Sequence, residues 1–145
     1  MTVGRKIYIA SSWKNAEMVR GIALILEKEG HEVYDFTDET RHFAFNLNML
    51  PNKEELDHIS FLTQVPESRE AFDTDKKGLD WSDTAIMVLP CGRSAHLELG
   101  YAVGQGKATF IFGDLPNGEY ECMYHFVNGC YHVDELNQLL EVLKL

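Results

Sequence analysis

One segment, residues 83–107, constrains the fold of this chain more than any other. It begins with a continuous apolar run, Ala85 to Leu89, which predicts a strand buried in a parallel sheet. The run breaks at Pro90-Cys91-Gly92, and a helix capped by Ser94 is predicted to follow and to end at Gly104. Ligands of parallel α/β sheets bind where strands end. We therefore expect a functional site in this loop and the first turns of its helix.

Strands and helices alternate along the rest of the chain. The other predicted strands are Lys6–Ala10, Glu32–Phe36, Ala108–Phe112 and Cys130–Val133, and the other predicted helices are capped by Asn15, Ser68 and Asp134, that of Ser68 running to about Lys77. This alternation predicts an α/β fold, a doubly wound, flavodoxin-like parallel sheet of five strands in the order 2-1-3-4-5. In that order, loops 11–15 and 91–98 meet at the switch point between the first and third strands.

The segment 37–66 interrupts this regular pattern. It is rich in aromatic and acidic residues, and within it residues 51–56 are predicted to open a short helix. Connections of this length are often lids or binding loops, which we favour here over a plain excursion of the chain. No linker or repeat marks a second unit, so residues 1–145 are expected to form one domain.

Charge and cysteine content restrict the partners of the chain. The formal net charge of −10 argues against a nucleic-acid-binding surface, which needs clustered Lys and Arg. No apolar run approaches the roughly 18 residues of a membrane span, and the N-terminus leads almost directly into a strand, so we expect a cytoplasmic protein. Three cysteines without CxxC spacing are expected to be reduced thiols, and no metal or cofactor motif is found.

Glu98 is the residue whose role matters most. A glutamate in the second turn of an amphipathic helix is commonly a solvated surface residue. Here it lies between Leu97 and Leu99 in a stretch with few charges, near a helix N-terminus whose dipole favours an ionised, low-pKa carboxylate. Such a carboxylate, if it faces a pocket, is suited to attack an anomeric carbon and form a covalent glycosyl-enzyme.

Two further residues have both a plain and a functional interpretation. Asp75 is predicted near the end of its helix, where the dipole opposes it, which suggests that another role keeps it there. Tyr8 alternates with Ile7 and Ile9, so it is either a core tyrosine or one whose hydroxyl orients a carboxylate. Hydroxyls and one guanidinium at the strand ends serve either as caps or as ligands of a phosphate or sugar: Ser11, Ser12, Arg93 and Ser94.

Four elements taken together resemble the nucleoside 2-deoxyribosyltransferase superfamily, including its 2′-deoxynucleoside 5′-monophosphate N-glycosidases. They are Ile7-Tyr-Ile-Ala-Ser-Ser-Trp13, Asp75-Lys-Lys-Gly-Leu79, Asp83-Thr-Ala-Ile-Met-Val-Leu89, and Ser94 to Ala102 with its Glu98-Leu-Gly-Tyr-Ala core. The resemblance covers most of the chain except residues 37–66.

The resemblance implies a Rossmann-like, flavodoxin-like fold and an enzyme of nucleotide metabolism, a transferase or hydrolase without a cofactor. On this analogy Glu98 attacks C1′ of the sugar, Asp75 helps protonate the leaving base, and Tyr8 orients Glu98. The implied substrate-binding residues are Ser11, Ser12, Trp13, Gly92, Arg93, Ser94, Met123 and Tyr124. A homo-oligomer is also implied, in which a neighbouring subunit completes each site through the region of Met123 and Tyr124.

The loop after the third strand departs from the family pattern. Family transferases often carry an acidic residue there, whereas this chain has Cys91-Gly92-Arg93. Arg93 favours a phosphorylated or otherwise anionic substrate, so glycosidic cleavage is better supported than transfer. The alternative is a non-catalytic nucleotide or nucleotide-sugar sensor on the same fold, which would use Ser11, Ser12 and Arg93. A phosphoacceptor receiver domain is disfavoured, because the first and third strands lack its acidic residues.

Overall fold

Five parallel strands in the order 2-1-3-4-5 form the centre of the structure, a computed structural model that describes residues 4–145. The strands are β1 Lys6–Ala10, β2 Glu32–Asp35, β3 Thr84–Val88, β4 Ala108–Phe112 and β5 Gly129–Tyr131. The helices are α1 Ala16–Lys28, α2 His58–Gln64, α3 Pro66–Trp81, α4 Arg93–Gly104 and α5 Leu136–Leu143. The predicted fold class and strand order are confirmed. Within residues 4–145, no helix is both long and apolar enough to span a membrane.

The alternation of side chains in β1 divides the core into two layers. Ile7 and Ile9 pack with α1 and α5 on one face of the sheet, and Tyr8 and Ala10 pack with α3 and α4 on the other. All of β3 is buried, as its continuous apolar run predicts, although its bounds are Thr84–Val88 instead of 85–89. Tyr8, a large polar-tipped side chain, is therefore fully enclosed on the face that α4 covers.

The helix before β3 is longer than its sequence suggests. Its predicted range was Ser68 to Lys77, but α3 begins at Pro66, which fits the first helical turn, and continues to Trp81. Gly78, just beyond the predicted end, lies inside the helix, where a Cβ would come 2.7 Å from the ring of Tyr34. A close contact between elements, which the sequence does not reveal, accounts for this glycine.

The segment 37–66 is more ordered than predicted. It contains the helix α2, whose N-cap Asp57 accepts a hydrogen bond from the Ser60 amide at 2.7 Å, and two short 3₁₀ turns. One of these turns, Lys53–Glu55, falls within the short helix predicted at residues 51–56. The acidic residue at 57 was a cap signal that the aromatic-rich surroundings concealed.

Three predicted helix caps are wrong: Ser68, Ser94 and Asp134. Val65 is the N-cap of α3 and Gly92 that of α4. Asn15 occupies the N-cap position of α1 as predicted, although its side chain makes no capping bond. At the C-terminal helix α5, the N-cap is Glu135, not Asp134, and the Glu135 side chain accepts a hydrogen bond of 2.8 Å from the His132 amide in the 3₁₀ turn before the helix. The strands β2 and β5 also end earlier than predicted, at Asp35 and Tyr131.

Candidate active site

The loops after β1 and β3 meet at the switch point, as predicted. Ser11 donates its hydroxyl to the Val88 carbonyl at 2.8 Å, and the Asn15 side-chain amide donates to the Leu89 carbonyl at 3.3 Å. The Asn15 amide is thus used between loops instead of as a helix cap. These two bonds fix the first loop against the end of β3, and the side chains that follow line one edge of the sheet.

Glu98 is not a solvated surface residue, because its carboxylate accepts a hydrogen bond from Tyr8. The Tyr8 hydroxyl lies below α4 on the covered face of the sheet and donates to Glu98 Oε2. Burial and the neighbouring Glu98 and Asp75 charges raise the pKa of Tyr8 well above its ordinary value, so the phenol keeps its proton and remains a donor. The adjacent Leu97 is 76 % exposed, which shows how sharply α4 separates an inward from an outward side.

The acidity predicted for Glu98 is wrong. Burial raises its pKa from 4.5 to about 8, the hydrogen bond from Tyr8 lowers it in part, and the Asp75 charge raises it further. Glu98 is the sixth residue of α4, and the helix dipole acts mainly within the first turn. Desolvation therefore outweighs the dipole, and Glu98 is mostly protonated at neutral pH.

Asp75 lies in the middle of α3 and not near its end, because the helix continues for six residues beyond it. Its Oδ1 accepts a hydrogen bond of 2.8 Å from the Tyr34 hydroxyl. Burial raises the pKa of Asp75, and the Tyr34 bond and the His42 ring lower it. The helix dipole therefore gives no reason for an aspartate at this position. Burial and the hydrogen bond from Tyr34 nevertheless distinguish Asp75 from a surface aspartate.

Tyr8 and Tyr34 are paired across β1 and β2, and their rings stack at 5.0 Å with an interplanar angle of 8°. Each hydroxyl donates to a different carboxyl group, that of Glu98 and that of Asp75. The three predicted catalytic side chains are thus brought together by a fourth, Tyr34, which sequence reasoning missed. The available signal was that Tyr34 occupies in β2 the place of Tyr8 in β1.

His42 was also missed, because it lies in the segment 37–66. Its ring stacks on Tyr34 at 4.5 Å and 11°, opposite Tyr8. The ring nitrogens lie 2.9 Å from the Phe43 carbonyl and 2.8 Å from the Asp35 carbonyl. Carbonyl oxygens only accept, so a ring nitrogen of His42 that carries a proton donates to the carbonyl it faces.

The predicted binding residues around the first turn of α4 are exposed. Gly92, Arg93 and Ser94 form an accessible helix N-terminus on the same helix as Glu98. Cys91 precedes them, and burial raises the pKa of its thiol to about 11, so it is not a thiolate nucleophile at neutral pH. An anion could therefore be bound at this loop by main-chain amides and one guanidinium.

The other predicted binding residues have defined contacts within the chain. The Ser12 hydroxyl accepts a bond from the Lys14 amide, and Trp13 packs edge-on against Phe36 at 5.6 Å. The Tyr124 hydroxyl is hydrogen-bonded to His96 Nε2 at 2.8 Å. Tyr124 therefore packs against the first turn of α4 in the same chain. The buried Ser11 hydroxyl is already committed to Val88, whereas Met123 is 57 % exposed.

A groove of about 330 Å³ lies beside the stacked rings of Tyr8, Tyr34 and His42, at the outer edge of the sheet. Its lining residues are Val33, Tyr34, Asp35, Arg41, His42, Thr74, Lys77, Gly78 and Trp81. The groove shares Tyr34 and His42 with the ring stack but does not reach Glu98. The carboxyl pair, with its defined proton donors, is therefore the better candidate for chemistry.

Two solved structures share this fold over nearly the whole chain. A 2-deoxyribosyltransferase from Bacillus psychrosaccharolyticus matches with a TM-score of 0.64 at 20% identity, covering 96% of this chain and 96% of that one. The CMP N-glycosidase of Clostridium botulinum matches with a TM-score of 0.57 at 17% identity, covering 96% and 98%. No protein-family model and no curated protein sequence matches the chain. At these identities the likeness establishes the fold.

Proposed function

We propose that this chain belongs to the nucleoside 2-deoxyribosyltransferase-like superfamily and breaks the N-glycosidic bond of a deoxynucleoside or its nucleotide. The observation that carries the proposal is the hydrogen bond from buried Tyr8 to Glu98 at the switch point of the sheet. Two solved enzymes that act on such glycosidic bonds, by their names, share the fold, which supports this assignment. The ordered sequence elements around Tyr8, Asp75 and Glu98 support it independently.

In the proposed reaction, the ionised Glu98 carboxylate attacks C1′ of the sugar. A bond forms between its oxygen and C1′, the glycosidic C–N bond breaks, and its electron pair goes to the nitrogen of the base. Asp75 donates a proton to that base as it leaves, while Tyr8 holds the attacking carboxylate. Water or a second base then attacks C1′ and gives its proton to the ionised Asp75, while the C1′–O bond to Glu98 breaks to regenerate the carboxylate.

Both carboxyl groups must be in the correct protonation state for this sequence of steps. The nucleophile must lose its proton and the acid must keep one, yet burial raises the pKa values of Glu98 and Asp75 alike. The reactive form therefore has Glu98 ionised and Asp75 protonated, and it is one of the several states of a coupled pair. The hydrogen bond from Tyr8 favours this state by stabilising charge on Glu98.

We infer that the substrate is anionic, and most simply a 5′-monophosphate. Arg93 and the exposed amides at the start of α4 offer a guanidinium and main-chain donors next to the helix that carries Glu98. Ser12, Trp13 and Ser94 would complete the contacts to the sugar and phosphate. Hydrolysis is favoured over transfer, because Cys91-Gly92-Arg93 replaces the acidic residue often found in family transferases.

We also propose a cytoplasmic homo-oligomer. Leu97, Met123 and Phe126 are apolar and more than half exposed. Exposed apolar side chains near a site are suited to contact a second copy of the chain. In the completed site, Met123 would come from that second copy. Light scattering after size-exclusion chromatography would give the mass of the particle, and a monomer at micromolar concentration would contradict this part of the proposal.

The decisive experiment incubates the protein with a panel of deoxynucleosides, ribonucleosides and their 5′-monophosphates, and measures free base by mass spectrometry. Base release that is lost in Glu98→Ala supports the proposal, and undiminished release in that variant overturns it. Intact-protein mass would reveal the glycosyl-enzyme as an added sugar or sugar phosphate. A nucleotide that stabilises the protein but is recovered intact would instead indicate a sensor.

A further inference from the structure

We propose that Tyr34 is a positioning residue, which holds Asp75 through its hydroxyl in the orientation needed to protonate the leaving base. The inference rests on the proposed function, because it assigns a role at the same site. It concerns a residue outside the sequence elements that carry the family resemblance.

The first support is the geometry across the sheet. Tyr8 and Tyr34 are register partners in β1 and β2, so adjacent parallel strands point the two rings to the same face. Their hydroxyls serve two different carboxyl groups, Tyr8 that of Glu98 and Tyr34 that of Asp75. The stacked pair therefore presents two hydroxyl donors side by side, one to each carboxyl group.

The second support is the glycine in α3. Gly78 is three residues after Asp75 and lies on the same side of the helix. A Cβ at this position would come 2.7 to 2.9 Å from three ring atoms of Tyr34. The missing side chain lets the ring lie directly against α3, which is how its hydroxyl reaches a carboxyl group one turn earlier.

The third support is the ring on the other side. His42 stacks on Tyr34 at 4.5 Å, so Tyr34 lies between two parallel rings. The His42 ring is itself fixed by the carbonyl oxygens of Asp35 and Phe43. Tyr34 is thus restrained on both faces and along one edge, which is more than packing on an edge strand requires.

The electrostatic surroundings of Asp75 indicate how the Tyr34 hydroxyl acts on its proton. The ionisable groups that act with Asp75 are Tyr8 from β1, Tyr34 from β2, His42 from the following segment and Glu98 from α4. Burial raises the pKa of Asp75, whereas the Tyr34 hydroxyl and His42 lower it. Tyr34 consequently sets both where the proton is held and how readily it is released.

The test is Tyr34→Phe, which removes the hydroxyl and keeps the stacked ring. Negative charge develops on Asp75 as its proton passes to the base, and a hydrogen bond to a charged group has an effect of roughly 10- to 100-fold, so we expect kcat for base release to fall by that factor. Loss of the donor raises the pKa of Asp75, so its carboxyl ¹³C titration, assigned with Asp75→Asn, should move to higher pH. The alkaline limb of the pH–rate profile should move with it.

The matched control is Tyr101→Phe. Tyr101 donates to Asp80 at 2.6 Å, a tyrosine–aspartate bond between α4 and α3 that lies outside the cluster. This variant should retain the kcat, the pH profile and the Asp75 titration of the wild type. An equal loss in both tyrosine variants would mean a general structural effect and would overturn the positioning role.

Gly78→Ala provides a second and independent variant. The added methyl group should displace the Tyr34 ring and lower kcat in the wild-type background, but cause little further loss in Tyr34→Phe. Additive losses would overturn the inference. If the wild type releases no base from any substrate, the proposed function fails, while an unchanged Asp75 titration in Tyr34→Phe shows separately that Tyr34 does not act on Asp75.

Discussion

The Tyr8 hydroxyl, at the centre of the sheet, donates a hydrogen bond to the carboxylate of Glu98 in the second turn of α4. This contact joins two residues that are 90 positions apart in the sequence. It accounts for a fully buried tyrosine with a polar tip and for a carboxylate that faces the sheet. The predictions below concern the consequences of this contact for reactivity and stability.

The first prediction concerns the pH dependence of the reaction. Because burial raises the pKa of Glu98 to about 8 and Asp75 must keep its proton, kcat/KM should pass through a maximum. It should rise with pH by up to about tenfold per unit on the acid side as Glu98 ionises, and fall again on the alkaline side as Asp75 loses its proton. Steady-state measurements from pH 5.5 to 9.5 with a fixed substrate would check this. A rate that is already independent of pH at 6 would show that Glu98 is ionised in the free protein.

Replacing Tyr8 by phenylalanine tests the role of its hydroxyl. The bond from Tyr8 favours the ionised form of Glu98, so its loss should move the acid limb of kcat/KM to higher pH. The maximum of kcat/KM should also fall roughly 10- to 100-fold, the effect of losing a hydrogen bond to a charged group. Tyr101→Phe is again the control, and an acid limb that moves to lower pH would contradict the assignment.

The stability of the protein should depend on the proton of Glu98. Its carboxyl has a higher pKa in the folded state than its ordinary value of 4.5, so the folded protein keeps a proton that the unfolded chain loses between pH 4.5 and about 8. The contribution of Glu98 to the free energy of unfolding therefore falls as pH rises through this range.

Glu98→Gln removes this dependence, so its Tm should exceed that of the wild type by more at pH 9 than at pH 5. Differential scanning calorimetry at the two pH values provides the measurement. The exposed Glu70 on α3, replaced by Gln, is the control and should show no such pH-dependent gain. A gain in Glu98→Gln that is larger at pH 5 would reverse the sign and refute the raised pKa.

Arg93→Gln tests the anionic substrate. If Arg93 binds a 5′-phosphate at the start of α4, KM for the monophosphate should rise by about tenfold or more, since a charged hydrogen bond is lost. The unphosphorylated nucleoside should be affected little. Arg69→Gln, which alters an exposed arginine paired with Asp73 on α3, is the matched control. An equal effect of Arg93→Gln on both substrates would argue against phosphate recognition.

Gly113 tests the backbone that supports the site. Gly113 follows β4 with φ of +114°, and a Cβ there would lie 2.9 Å from the Leu89 carbonyl oxygen. The same oxygen accepts the hydrogen bond from the Asn15 side-chain amide. Gly113→Ala should destabilise the fold by about 2 kcal/mol or more in chemical denaturation. Gly21→Ala, in the interior of α1 with open space around it, should instead stabilise by up to about 1 kcal/mol. A neutral Gly113→Ala would show that the strand end adjusts freely.

The periodicity of apolar residues was sufficient to predict the sheet and its switch point. Strands buried on both faces need continuous apolar runs, and the ranges of β1 and β4 follow directly from theirs. Boundaries set by side-chain contacts were harder. The predicted helix end near Lys77 and the predicted cap Ser94 are wrong, because Gly78 packs inside α3 against Tyr34 and Gly92 is the N-cap of α4.

The sequence by itself determined the five-stranded α/β fold, the edge at which its functional loops meet, and the identity of Glu98, Asp75 and Tyr8 as candidates. Only the tertiary structure decided that Tyr34 connects them and that burial outweighs the helix dipole at Glu98. The physical reason is that hydrophobic patterns are local along the chain. Desolvation and ring stacking depend instead on which distant side chains surround a group, and local patterns do not encode that arrangement.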